Sequence, residues 1–179
     1  MGVMLVAAPD IRIFEQLPDN GRLFREDLSQ MAQHRAQTAI ARILGDRGFT
    51  IQQADPQTLP EAELDEISVL FRSVNRSIQL HTYGPQIFPD KMDKFEYSVG
   101  SISELLNARH ADGLVLAMGY QTGIKTPEKN WFSVAVVEPQ GTVIWYNLTS
   151  SPQRFNFQHR EAVSALVAET MHPFWERGS

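Results

Sequence analysis

The sequence predicts an α/β (α+β) fold: a single mixed β-sheet, in which parallel β-α-β crossovers are followed by an antiparallel meander, with about four helices packed on it. Three observations predict this. Residues 113–118 form a continuous apolar run, as expected of a central strand covered on both faces. Leu28, Met31, Ala32, Ala36, Ala39, Ile40, Ile43 and Leu44 recur at helical spacing between two strand-like runs, so a helical crossover makes those strands parallel. Residues 131–137 and 142–148 are strand-like and joined by Glu138-Pro139-Gln140-Gly141, the chemistry of a hairpin turn.

Taken in order, residues 3–14 read as a strand, broken by Pro9-Asp10, that is buried first and half-buried after. Pro18-Asp19-Asn20-Gly21 predicts a tight hairpin with positive φ at Asn-Gly, returning in a short strand over 22–24. The first helix begins at Glu26, with Glu26 and Asp27 at the positive end of its dipole, and Gly48 caps its end. A second strand follows over 49–53. Thr58-Leu59-Pro60-Glu61 is a capping-box signature before a helix whose buried face carries Leu64, Ile67, Leu70, Phe71, Val74 and Ile78. Ser101-Ile102-Ser103-Glu104 repeats the signature before a short helix ending near His110. A last helix carries Val163, Leu166, Val167, Thr170 and Phe174, with Pro173 ending its regular turns. No linker divides the chain, so residues 1–179 read as one domain with 173–179 as a tail.

Composition narrows the function. With 179 residues the chain is long enough to bury roughly 70% of its unfolded surface without a staple. A net charge of −5 argues against a nucleic-acid partner, which requires a basic face. The four lysines, Lys91, Lys94, Lys125 and Lys129, fall in two loop-like segments and read as solvated. The absence of cysteine removes structural disulfides, thiolate zinc ligands and thiol nucleophiles together. No run approaches the ~18 apolar residues of a spanning helix.

Chemical motifs are sparse. Gly119-Tyr120-Gln121-Thr122-Gly123 follows a strand but leads into another strand, the wrong context for a phosphate loop. The five histidines show no paired-ligand spacing, so no metal site and no cofactor are expected. No catalytic residue is assigned, and the chain reads as non-enzymatic. Residues 81–100 lack helical and strand periodicity, yet they carry aromatic groups among Gly and Pro, and long irregular connections are often functional. They supply candidate binding residues His81, Tyr83, Phe88, Phe95 and Tyr97. Trp145 and Asn147 complete the set, since strand alternation puts Val143, Trp145 and Asn147 on one face and Ile144, Tyr146 and Leu148 on the other. Trp145 itself reads chiefly as core.

Leu5-Val6-Ala7-Ala8-Pro9-Asp10-Ile11, Leu80-His81-Thr82-Tyr83-Gly84, Phe95-Glu96-Tyr97-Ser98-Val99-Gly100, Ala111-Asp112-Gly113-Leu114-Val115-Leu116 and Gly141-Thr142-Val143-Ile144-Trp145-Tyr146-Asn147 together resemble an uncharacterised family of proteobacterial cell-envelope proteins, many of them lipoprotein-like. The family is similar in architecture to the N-terminal domain of TolB and to the curli-export lipoprotein. The resemblance implies a periplasmic or envelope location and a binding or assembly role, with another envelope protein or a second copy as partner. A signal and lipid-bearing Cys belong only to a longer precursor. Thr122 to Asn130 is short and polar where family members often carry a longer Gly-rich or apolar insertion. The alternative function is a small-ligand or hydrolytic site in the crevice beyond the carboxyl ends of the parallel strands, near Asp10, Arg12 and residues 119–122.

Overall fold

The structure, a computed structural model, describes residues 2–54, 61–80 and 97–176. Among them seven strands form one sheet and four helices cover it. In chain order these are β1 (Val3–Val6), β2 (Asp10–Gln16), β3 (Arg22–Phe24), α1 (Glu26–Asp46), β4 (Thr50–Gln53), α2 (Glu61–Ile78), α3 (Ser103–Ala108), β5 (Gly113–Thr122), β6 (Lys129–Val137), β7 (Val143–Thr149) and α4 (Arg160–Glu176). The mixed sheet predicted from sequence is the sheet observed.

Strand β5 is its middle. β1 and β2 run parallel to it along one side, and β6 runs antiparallel along the other. β4 extends the sheet beyond β1 in parallel, while β3 and β7 pair antiparallel with β2 and β6. Val115 and Ala117 of β5 enter the core that contains α1 and α4 residues such as Ala36, Ile40, Leu166 and Val167. Leu114, Leu116 and Met118 enter the opposite core with Ile67 and Phe71 of α2 and Leu105 and Leu106 of α3. A strand covered on both faces has no reason to alternate, which is why this run is apolar throughout.

The break at Pro9 has a geometric consequence. Val6 pairs with Val115 and Asp10 with Met118, so four steps along the β1–β2 chain match three along β5. One extra residue in the Ala7-Ala8-Pro9 stretch shifts the phase of side-chain alternation, as a β-bulge does. Before the break, Met4 and Val6 enter the α1/α4 core; after it, Ile11 and Ile13 do, and Asp10 and Arg12 are turned to the α2 side. Without that residue the two charged side chains would point into the α1/α4 core.

A second bulge corrects the expected faces of the last strand. Val137 pairs with Val143 and Val136 with Trp145, leaving Ile144 as the extra residue, 57% exposed. Val143 therefore joins the α2/α3 core with Tyr146 and Leu148, and Trp145 joins the α1/α4 core. Alternation is regular only from Trp145 onward.

Four local expectations also change. The turn after β2 is a three-residue loop, Pro18-Asp19-Asn20: Asn20 N–H donates to Leu17 O (3.1 Å), Leu17 N–H donates to Gly21 O (2.9 Å), and Asn20 takes φ 64°. The left-handed position therefore belongs to Asn20, which tolerates it. Ser101 does not cap α3: the N-cap is Ile102, and Ser101 Oγ donates to Ser103 Oγ at 3.2 Å and accepts from Ser103 N–H only at 3.5 Å. The earlier capping box at Thr58 lies outside the described residues. Met31 and Leu70, assigned to buried stripes, are 46% and 41% exposed because they sit at the margins of their helix faces. Finally, α4 runs through Pro173 to Glu176 where the sequence predicted an end and a tail. Packing holds this turn: the Phe174 ring meets Trp145 at 5.0 Å and Trp175 at 4.7 Å, and Arg47 lies 4.8 Å over the Trp175 ring. Those contacts offset the helix hydrogen bond that Pro173 cannot donate.

Arg25, at the start of α1, ties that helix to the sheet. Its Nη1 donates to Glu15 Oε2 and its Nη2 to Asp27 Oδ2, each at 2.9 Å. The hydrogen bond from Arg25 holds the Asp27 carboxyl below its usual pKa, and the bond to Asp27 in turn raises that of the guanidinium.

Candidate functional site

The re-phased β2 places its outward side chains beside those of β5 and β6. Arg12 pairs across with Tyr120, and Tyr120 pairs across with Trp131. The three form one rank over three adjacent strands. The Tyr120 and Trp131 rings lie nearly parallel, 17° apart with centroids at 6.2 Å, and Phe14 meets Tyr120 at 5.7 Å. Arg22 Nη1 donates to the Tyr120 hydroxyl at 3.0 Å and fixes the ring's outer end.

Helix α2 is the wall facing this floor. Arg72, Asn75, Arg76 and Gln79 follow i, i+3, i+4, i+7 spacing, so all four fall on one face. They line a groove of about 320 Å³ together with Asp10, Arg12, Met118, Tyr120 and Trp131. The groove lies on the α2 face of the sheet, over the first half of β2, the second half of β5 and the start of β6.

Buried hydrogen bonds fix the wall to the floor. Asn75, 3% exposed, accepts through Oδ1 from Ser133 Oγ (2.8 Å) and from the Tyr146 hydroxyl (2.7 Å), joining α2 to β6 and β7. At the rim, Arg72 Nη2 meets Asp10 Oδ2 at 2.8 Å and Arg12 Nε meets Asp10 Oδ1 at 3.5 Å. Asp10 thus sits between two guanidinium groups and organises them. Arg76 forms no ion pair among the described residues. Among the described residues Gln79 Nε2 is buried without a hydrogen-bond partner, a state that costs about 1–3 kcal/mol for a polar group unless a ligand or water satisfies it. The groove therefore presents guanidinium and amide donors above an aromatic floor.

Of the residues selected from sequence, His81, Tyr83, Phe88 and Phe95 lie outside the described residues. Tyr97 is half-buried against the α2/α3 core, and its carbonyl accepts from Val143 N–H at 2.8 Å. Trp145 is 5% exposed against Phe174, and Asn147 Nδ2 donates to Thr170 O at 2.8 Å, so these two join β7 to α4 on the face opposite the groove. Tyr97 is therefore not brought together with the Trp145–Asn147 pair. The crevice residues divide as well. Asp10, Arg12, Gly119 and Tyr120 line the groove. Gln121 is fully buried on the other face, donating to Gly123 O and Asn156 Oδ1 and accepting from Phe157 N–H. Arg72, Arg76, Gln79 and Trp131 were not selected from sequence, although the polar i, i+3, i+4, i+7 stripe on α2 was visible there.

No described helix is long and apolar enough to cross a membrane. No protein-family model matches the chain, and no curated protein matches its sequence. Among solved structures it is similar to the PelC dodecamer from Paraburkholderia phytofirmans, with 13% identity and a TM-score of 0.47 over 96% of this chain and 86% of that one. It is similar also to lipoprotein GNA1162 from Neisseria meningitidis, with 10% identity and a TM-score of 0.42 over 84% and 80% of the two chains. A third is the LpoB C-terminal domain from Escherichia coli, with 14% identity and a TM-score of 0.39 over 84% and 82%.

Proposed function

We propose that this chain is a non-enzymatic binding protein of the bacterial cell envelope that holds its partner in the groove between α2 and the β2–β5–β6 floor. One observation carries the reading: the Arg12–Tyr120–Trp131 rank faces Arg72, Arg76 and a Gln79 Nε2 with no partner among the described residues, across a groove whose α2 wall Asn75 ties to the sheet. Such a surface is built for adhesion, because rings supply contact area and guanidinium groups supply directional hydrogen bonds. The described lining brings its carboxylate, Asp10, into ion pairs and not into the open position a general base requires. The envelope location follows from the sequence resemblance, with an architecture like that of the TolB N-terminal domain and the curli-export lipoprotein. The partner is then another envelope protein or a second copy, and residues 81–100 form a further contact surface.

Site-specific photo-crosslinking in the native host tests this reading. A benzoyl-phenylalanine at position 120 should give a discrete adduct with an envelope component, and the same probe at position 42, on α1, should give none. Adducts at neither site, or equally at both, would remove the groove from consideration.

A small-ligand reading of the same groove is favoured by one specific observation. A buried orphan donor such as Gln79 Nε2 calls for an acceptor delivered at close range.

A further inference from the structure

The chemistry of the lining restricts what the groove holds, and the inference rests on the groove being a binding site. Arg12, Arg72 and Arg76 set three positive charges against the single negative charge of Asp10, in a chain whose net charge is −5. A local excess of guanidinium in an acidic protein is a specific arrangement rather than the background. Arg72 and Arg12 keep further N–H donors beyond those spent on Asp10, since each guanidinium carries five. Gln79 Nε2 adds a donor with no acceptor among the described residues. The complement of such a set is an oxyanion, taken by planar guanidinium forks.

The floor adds a second requirement. Phe14, Met118, Tyr120 and Trp131 make the base of the groove apolar, and the Tyr120 and Trp131 rings stack against each other across β5 and β6. A bare inorganic ion would leave this surface uncovered. At about 320 Å³ the groove lies at the small end of the range for ligand sites, the size of one ring system and its anionic substituent.

We infer that the groove binds an oxyanion carried on a flat apolar body: the oxyanion seats among Arg72, Arg76, Arg12 and Gln79, and the flat body packs against the stacked Tyr120 and Trp131 rings. Either a carboxylate or a phosphate monoester meets this description, in a free metabolite or at an aromatic terminus of a peptide.

Calorimetric titration of the full chain with four probes tests it: N-acetyl-tryptophan, its amide, phenyl phosphate and inorganic phosphate. N-acetyl-tryptophan or phenyl phosphate should bind, and the tighter of the two identifies the source of the oxyanion. The amide and inorganic phosphate should each be weaker by about tenfold or more, one for lack of charge and the other for lack of a ring. Phenyl phosphate should also change the fluorescence of the wild-type protein, and Trp131→Phe should remove that change, because Trp145 and Trp175 pack on the opposite face of the sheet. Arg76→Gln, which breaks no ion pair among the described residues, should weaken binding by about tenfold with an unchanged melting temperature. An amide that binds as well as its acid, an inorganic phosphate that binds as well as its phenyl ester, or no binding by any probe overturns the inference. If position 120 still crosslinks an envelope component in that case, the groove remains a binding site for a different chemistry.

Discussion

Arg72 of α2 closes on Asp10 of β2 at 2.8 Å across 62 residues of sequence, and this contact exists because the bulge at Ala7-Ala8-Pro9 turns Asp10 toward the helix. It sits at the groove rim, with the Arg72 side chain 46% and the Asp10 side chain 25% exposed. Its role is to orient guanidinium groups more than to stabilise the fold.

Replacing Asp10 by Asn should therefore change unfolding free energy by less than about 1 kcal/mol, the range of exposed ion pairs. It should also tighten phenyl phosphate binding by about threefold, since a like charge leaves the neighbourhood of the anion while the amide oxygen still accepts from a guanidinium and keeps it oriented. Urea denaturation and calorimetry read the two effects separately.

Asn75→Ala is expected to cost about 2–3 kcal/mol, because Ser133 loses its acceptor inside the protein. Chemical denaturation measures the loss. A cost below 1 kcal/mol would show that α2 is held to the sheet by apolar contact alone.

Trp145 and Asn147 act on α4. Trp145→Ala should destabilise by about 3–5 kcal/mol through the cavity it leaves against Phe174. Asn147→Ala should cost about 1 kcal/mol through the lost bond to Thr170 O. Neither should alter binding in the groove, on the other side of the sheet, and titration of Asn147→Ala with phenyl phosphate checks this.

Acid should weaken the junction of α1 with the sheet. Because the folded-state pKa of Asp27 is depressed, its contribution is present above its unfolded value of about 3.9 and is lost as pH falls through the lower folded value. Arg25 stays protonated throughout. The stability difference between wild type and Asp27→Asn should persist at neutral pH and shrink below about pH 4, followed by thermal unfolding at each pH.

Phe88 and Phe95 test the reading of residues 81–100 as a contact surface. Alanine at either should lower stability by less than about 1 kcal/mol while reducing capture of the envelope component crosslinked at position 120. Losses of several kcal/mol at both would assign the rings to the core.

The sequence by itself determined the sheet. The uninterrupted apolar residues of β5 mark a strand covered on both faces, the apolar stripe of α1 requires a crossover, and the turn at Pro139 to Gly141 requires a hairpin. These are local patterns, and periodicity is a local property. That Asp10 and Arg12 lie beside residues 118–120 was within reach of the same patterns, since parallel pairing sets the two strands side by side. Only the tertiary structure decided which way those side chains face: one extra residue before β2 and another at Ile144 reverse the alternation, and bulges leave no periodic signature. It also decided that the polar stripe of α2 meets Trp131, because two elements joined through long-range packing share no spacing in the chain.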